Sequence, residues 1–158
     1  MRVEHEHEFD APLDAAFEFI TRLENWPRYW PGIVRVEPGA RWGAPGDEAR
    51  IVVHLLGRDV ELRMLLRQFE PGRFVEYVST QEGLPDARHE RRFEPTASGF
   101  RYGLLVEYAP RAGLRGVYDR VLVRRGIERA LRQTVENLER ELLRLSGRPG
   151  TSTRPPAA

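Results

Sequence analysis

The chain has 158 residues, enough for one domain on the usual scale of about 100–200 residues each, with 41% hydrophobic and 31% charged residues, an ordinary globular composition. Every one of the 25 basic residues is arginine, set against 24 acidic ones for a net charge of +1, which argues against a partner built of nucleic-acid phosphates. The absence of cysteine excludes disulfides, thiolate metal sites, iron–sulfur clusters and a cysteine nucleophile.

The first element, Val3 to Phe9, alternates strictly and predicts a strand with one acidic, solvated face. Asp10-Ala11-Pro12 is a helix start, and Leu13, Phe17 and Ile20 at i, i+4, i+7 predict a short amphipathic helix to about Leu23. Pro27 and Pro31 limit the segment from Glu24 to Pro31 to a short second helix. Six strands follow, at Ile33–Val36, Glu48–Leu56, Val60–Phe69, Arg73–Thr80, Arg88–Glu94 and Phe100–Tyr108. Short turns such as Gly57-Arg58-Asp59 and Pro71-Gly72 link most of them, so the strands form an antiparallel meander.

The last element is a long helix, about Leu114 to Ser146. Ile127, Leu131, Val135, Leu138, Leu142 and Leu145 make one apolar stripe, and Leu114, Val117, Tyr118 and Val121 make a second, rotated relative to the first. The change falls at Arg124-Arg125-Gly126 and predicts a kink or local irregularity near Gly126. Residues 147–158 have nothing to bury and are expected to be a disordered tail behind a domain of residues 1–146. No apolar run approaches ~18 residues and the N-terminus lacks the core of a signal peptide, so a cytoplasmic protein without a transmembrane segment is expected. The fold class is therefore α+β: a curved antiparallel sheet of about seven strands wrapped around the long C-terminal helix, with two short helices after the first strand. One helix cannot fill a deep concave sheet, which predicts a cavity between them.

Asp10-Ala11-Pro12 and Glu24-Asn25-Trp26-Pro27-Arg28-Tyr29-Trp30-Pro31-Gly32 near the start, and Val106-Glu107-Tyr108-Ala109-Pro110 before the arginine-rich helix, resemble the START-like polyketide cyclase/dehydrase and lipid-transport superfamily (SRPBCC), over roughly residues 3 to 145. The resemblance implies the helix-grip fold and a pocket for a hydrophobic small molecule such as a lipid, an isoprenoid or a polyketide. It implies no single activity, because the fold hosts carriers, sensors and enzymes. In aromatase/cyclase members an arginine on a strand lies in the pocket and polarises substrate oxygens; Arg67 best matches it, yet alternation with Val60, Leu62, Met64 and Leu66 points Arg67 outward.

Alternation also assigns the candidate ligand contacts. On Arg88–Glu94 the set Arg88, Glu90, Arg92, Glu94 is a solvated charge ladder, which leaves Ala87, His89, Arg91 and Phe93 for the inner face. His89 and Arg91 then fix one end of an amphipathic ligand and are the weak catalytic candidates; otherwise Arg91 sits at the sheet margin and snorkels to water. Leu62, Met64, Tyr77, Tyr102, Leu104 and Tyr108 share the inner face as core or ligand contacts, with Tyr118 and Val121 opposite them on the helix. Trp30, with Trp26 and Tyr29, closes one end of the pocket, and Trp42 stands at its entrance. His5-x-His7 could chelate a metal only with a third ligand that the sequence does not place, so neither a metal nor another cofactor is expected. Seven arginines between Arg111 and Arg132 face only Asp119 and Glu128, as a solvated face or a surface for an acidic partner or a membrane. The leading expectation is a carrier or sensor of a hydrophobic ligand, compatible with a homodimer. The alternative is a cyclase/aromatase-like enzyme using pocket His, Arg or Tyr as acid and base.

Overall fold

Seven alternating segments become the seven strands of one sheet in the computed structural model, which describes residues 1–55 and 57–147, with only the backbone of Arg115 and Tyr118. They are β1 (Arg2–Phe9), β2 (Ile33–Val36), β3 (Glu48–Leu55), β4 (Arg58–Glu70), β5 (Phe74–Gln81), β6 (Ala87–Pro95) and β7 (Phe100–Tyr108). The order across the sheet is β1-β7-β6-β5-β4-β3-β2, antiparallel throughout. Between β1 and β2 lie α1 (Leu13–Thr21), a short 3₁₀ turn at Leu23–Asn25 and α2 (Trp26–Tyr29). The expected tail lies, from residue 148 onward, outside the described residues.

The inner face follows parity along the strands, except across a bulge in β4. Val60, Met64 and Leu66 of β4, Val75 and Tyr77 of β5, Phe93 of β6, and Phe100, Tyr102, Leu104 and Val106 of β7 are buried there. The bulge, between Leu66 and Gln68, breaks the register of β4 with β5, which bends the strand and raises its twist. Arg67 sits at that bulge and is exposed, as the alternation required. The charge ladder of β6 is less solvated than expected. Glu90 is only 4% exposed because Arg88 and Arg92 close over it as ion pairs from its own strand.

The C-terminal helix carries the irregularity expected near Gly126, a few residues earlier in the chain. It has three parts: α3 (Leu114–Tyr118), a π-helical segment at Asp119–Val123, and α4 (Arg124–Leu145), which contains Gly126. The irregularity precedes the expected glycine because it is anchored by a buried carboxylate. Asp119 accepts from the backbone N–H of Arg111 at 2.9 Å and from its guanidinium at 2.7 and 3.0 Å, while Tyr108 donates its hydroxyl to the Asp119 carbonyl at 2.9 Å. Widened turns of this kind are frequent at functional sites. Beyond it, most of the first stripe does what its spacing predicts, although Ile127 is half-buried and Leu145, in the last turn, is 54% exposed. Leu131, Val135, Leu138 and Leu142 are buried, each contributing about 2 kcal/mol of apolar burial. Arg28 pairs with Glu141 at 2.5 Å and Asn137 donates to the Tyr29 carbonyl at 2.9 Å, tying α4 to α2. Among the described residues no helix is long and apolar enough to cross a membrane.

Candidate functional site

Register divides the inner face into rows, and the rows have different fates. One row runs Val75–Arg91–Leu104, and the next runs Leu66–Tyr77–His89–Val106. The Arg91 row is sealed by α1 and α2. Guanidinium burial without a carboxylate is costly, and the chain offsets it with a carbonyl and aromatic faces. Arg91 donates to the carbonyl of Ile20 at 3.2 Å and to the Tyr29 hydroxyl at 2.8 Å, with Tyr77 at 3.4 Å. Its guanidinium carbon lies 4.1 Å from the Trp26 ring centroid and 5.1 Å from that of Trp30. A desolvated contact of the first kind is worth about 2 kcal/mol. Ile20 stands in the last turn of α1, where carbonyls lack helical partners and carry partial negative charge; it also accepts from Trp26 at 3.0 Å and Tyr29 at 2.6 Å. Burial pushes the Tyr29 phenol up to about 12, so it remains a neutral donor.

The His89 row opens onto a cavity of about 260 Å³. Trp26 and Trp30 close one end, Ile51, Val53, Leu62, Tyr77, Ser79, Ala87 and Val106 line the sheet side, and Leu122, Val123, Gly126, Ile127, Ala130 and Leu131 line the helix side. His54, Leu55, Leu84 and Pro85 also border it. Among the described residues no arginine, aspartate or glutamate lines it. Its polar groups are few: Ser79, Gln81, His54, His89 and Tyr108. The His89 ring stacks on Tyr77 with centroids 4.6 Å apart and 5° between planes, and its Nε2 lies 3.0 Å from the Ser79 hydroxyl. Its Nδ1 is buried without a partner. Burial first, and the Arg91 charge second, depress its pKa to about 3, so the imidazole is neutral at physiological pH and a weak base.

The residues expected to touch a ligand are distributed as follows. Trp30, Leu62, Tyr77, His89 and Tyr108 line the cavity. Arg91 lies behind its aromatic end, and Met64, Tyr102 and Leu104 are buried in the packed part of the sheet face. Arg91 does not reach water, being 1% exposed. Val121 is 44% exposed and outside the cavity wall, and the Tyr118 side chain lies outside the described residues. Trp42 packs inward, 5.9 Å from Trp26 and 5.4 Å from Tyr77, instead of standing at the entrance. His5 and His7 share the inner side of β1 with Val3 and Phe9, the His7 ring edge-on to Phe9 at 4.7 Å. Among the described residues no three His, Asp or Glu side chains gather as a metal cluster. Sequence reasoning missed Ser79 and Gln81, although they continue the parity of Tyr77. It also missed the helix contribution from Leu122 to Ala130, whose orientation depends on the π-helical segment.

Comparison with known proteins gives a consistent picture. A family model described as polyketide cyclase / dehydrase and lipid transport matches residues 1–143. No curated protein sequence matches the chain. Among solved structures, the Zhui aromatase/cyclase from Streptomyces sp. R1128 superposes with a TM-score of 0.80 at 18% identity, covering 92% of this chain and 95% of its own. TTHA0849 from Thermus thermophilus gives 0.77 at 20% identity, covering 92% and 99%. The di-domain ARO/CYC StfQ of the steffimycin biosynthetic pathway gives 0.74 at 17% identity, with 92% of this chain matched to 51% of that one. At these identities the likeness is one of fold.

Proposed function

Because the chain belongs to the polyketide cyclase/dehydrase and lipid transport family, we propose that it carries or senses a hydrophobic small molecule held between the sheet and α4. The observation that supports this most is the cavity itself, mostly apolar on both walls and, among the described residues, without an arginine, aspartate or glutamate in its lining. Its volume of about 260 Å³ lies near the lower end for small-molecule sites, which suits a compact ring system or part of an isoprenoid chain better than a two-chain lipid. Ser79 and Gln81 carry neutral polar groups that would orient one polar end.

A second reading, turnover of a polyketide-like substrate, draws on the aromatase/cyclase neighbours. The groups nominated for it have unfavourable settings in this chain. His89 holds its imidazole far below the range useful to a general base, Arg91 is sealed behind Trp26, and Arg67 is exposed.

The test is titration of the purified chain with N-phenyl-1-naphthylamine, a neutral apolar fluorophore. The carrier reading expects saturable binding in the micromolar range, displaced by added isoprenoid or aromatic ligands. Ala130→Trp, which fills the cavity from the helix side, should abolish binding while keeping cooperative unfolding; Ile127→Phe serves if that variant does not fold. Binding that is absent, or that survives both substitutions, overturns the proposal.

A further inference from the structure

Among the described residues nothing covers Leu114, Val117 and Val121 of the second apolar stripe, or Leu122 beside them. Leu114 is 91% exposed, Val117 57%, Val121 44% and Leu122 47%. They are four of the six large apolar side chains exposed among the described residues, gathered within nine consecutive positions. Clusters of this kind on a monomer mark interaction sites. The exposure is imposed by firm structure. The Arg111–Asp119 pairing and the Tyr108 hydroxyl anchor the far end of α3. A Cβ at Gly116 would lie 2.0 Å from the Arg111 carbonyl oxygen, so the backbone there is held against the preceding loop.

Charge identifies the partner. The two acids of the 111–129 stretch are already engaged, Asp119 by Arg111 and Glu128 by Arg124 at 2.7 Å. Arg120, Arg125 and Arg129 are exposed and make no ion pair with a described residue. Apolar side chains protruding beside free arginines are the pattern of a segment lying in a lipid–water interface. Four side chains cannot supply the ~800 Å² per partner of a stable protein interface, and a fluid surface accepts an isolated, almost fully exposed leucine where a rigid one needs a matching socket. Leu122 also belongs to the cavity wall, so the patch and the cavity share a boundary.

We propose that Leu114–Leu122, with Arg120, Arg125 and Arg129, docks the protein onto a bilayer containing anionic phospholipid. This goes beyond the cavity reading and is tested without any cavity ligand.

The experiment is co-sedimentation of the full chain with vesicles of phosphatidylcholine alone or mixed with phosphatidylglycerol. The expected result is binding to the mixed vesicles only, weakening as salt is raised. Leu114→Glu with Val117→Glu should lower partition roughly tenfold or more. Arg120→Gln and Arg125→Gln should each lower it about fivefold, and Val34→Glu, at an exposed apolar position elsewhere, should leave it unchanged. These positions are all exposed, so thermal unfolding should show the variants folded. Absence of binding to the mixed vesicles, equal binding to both compositions, or full binding by the Leu114→Glu/Val117→Glu variant overturns the proposal. Self-association of the parent chain that this variant abolishes would assign the ridge to a second copy and overturn it as well.

Discussion

His89 makes the stability of this protein sensitive to mild acid, and the size of the effect can be worked out. Its native pKa is near 3 against an ordinary 6.5, because burial and the Arg91 charge oppose protonation. The unfolded chain regains the ordinary value. As pH falls below that value the unfolded state binds a proton that the native state refuses, so stability is full above it and declines toward the native pKa. Integrated from about pH 7 to about pH 5, the loss is about 2 kcal/mol. His89→Gln removes the titration and keeps an amide for Ser79 to bond. Urea unfolding followed by tryptophan fluorescence, at fixed ionic strength, gives the stability of both proteins at each pH. Contributions from His5 and the carboxylates are common to both and cancel in the difference. The parent should lose about 2 kcal/mol more than the variant over this interval; parallel profiles would refute the assignment of a neutral His89.

Two further outcomes follow from the helix glycines and the buried cation. Gly126→Ala should raise stability by up to about 1 kcal/mol, since the added Cβ meets nothing within 4 Å and alanine is the better helix former. Gly116→Ala should lower stability, because its Cβ would collide with the Arg111 carbonyl; chemical denaturation of both variants decides, and a stabilised Gly116→Ala would contradict the close approach. Arg91→Met should shift stability by less than about 1 kcal/mol, since the desolvation penalty disappears along with the bonds, whereas Arg91→Ala should cost about 3 kcal/mol through the void it leaves. Equal losses in both would mean that the guanidinium contacts outweigh its desolvation.

The sheet was legible because its signals are local. Alternation along Val3–Phe9 or Phe100–Tyr108 fixes which side chains point inward, and short turns leave an antiparallel meander as the simple solution. Parity likewise placed His89 and Arg91 on the inner side. What it could not supply is the neighbour that each would meet. Arg91 donates to the carbonyl of Ile20, 71 residues away, and a main-chain acceptor leaves no mark in the sequence. The helix was harder for a related reason. The two stripes announced a change of direction, but Asp119, whose carboxylate sets where it occurs, reads in sequence as one more surface charge. With the irregularity placed only near Gly126, neither Leu122 and Val123 at the cavity nor the exposure of Val117 could be deduced.

The cavity owes its existence to side-chain size on both walls. On the helix side Gly126 and Ala130 stand one turn apart, flanked by Ile127 and Leu131; on the sheet side Ser79 and Ala87 are cross-strand partners. Four small residues therefore face the space between two elements that elsewhere bury Val135, Leu138, Met64 and Leu66. Native interiors leave few voids larger than a water molecule, and filling this one would need only larger apolar residues at positions that already tolerate apolar side chains. The Arg91 row shows that the chain fills space where α1 and α2 supply aromatic rings, and it does so around a cation that is difficult to bury. An opening beside such dense packing, walled by small residues and bordered by neutral hydrogen-bonding groups, is better explained as room for a guest than as incomplete packing.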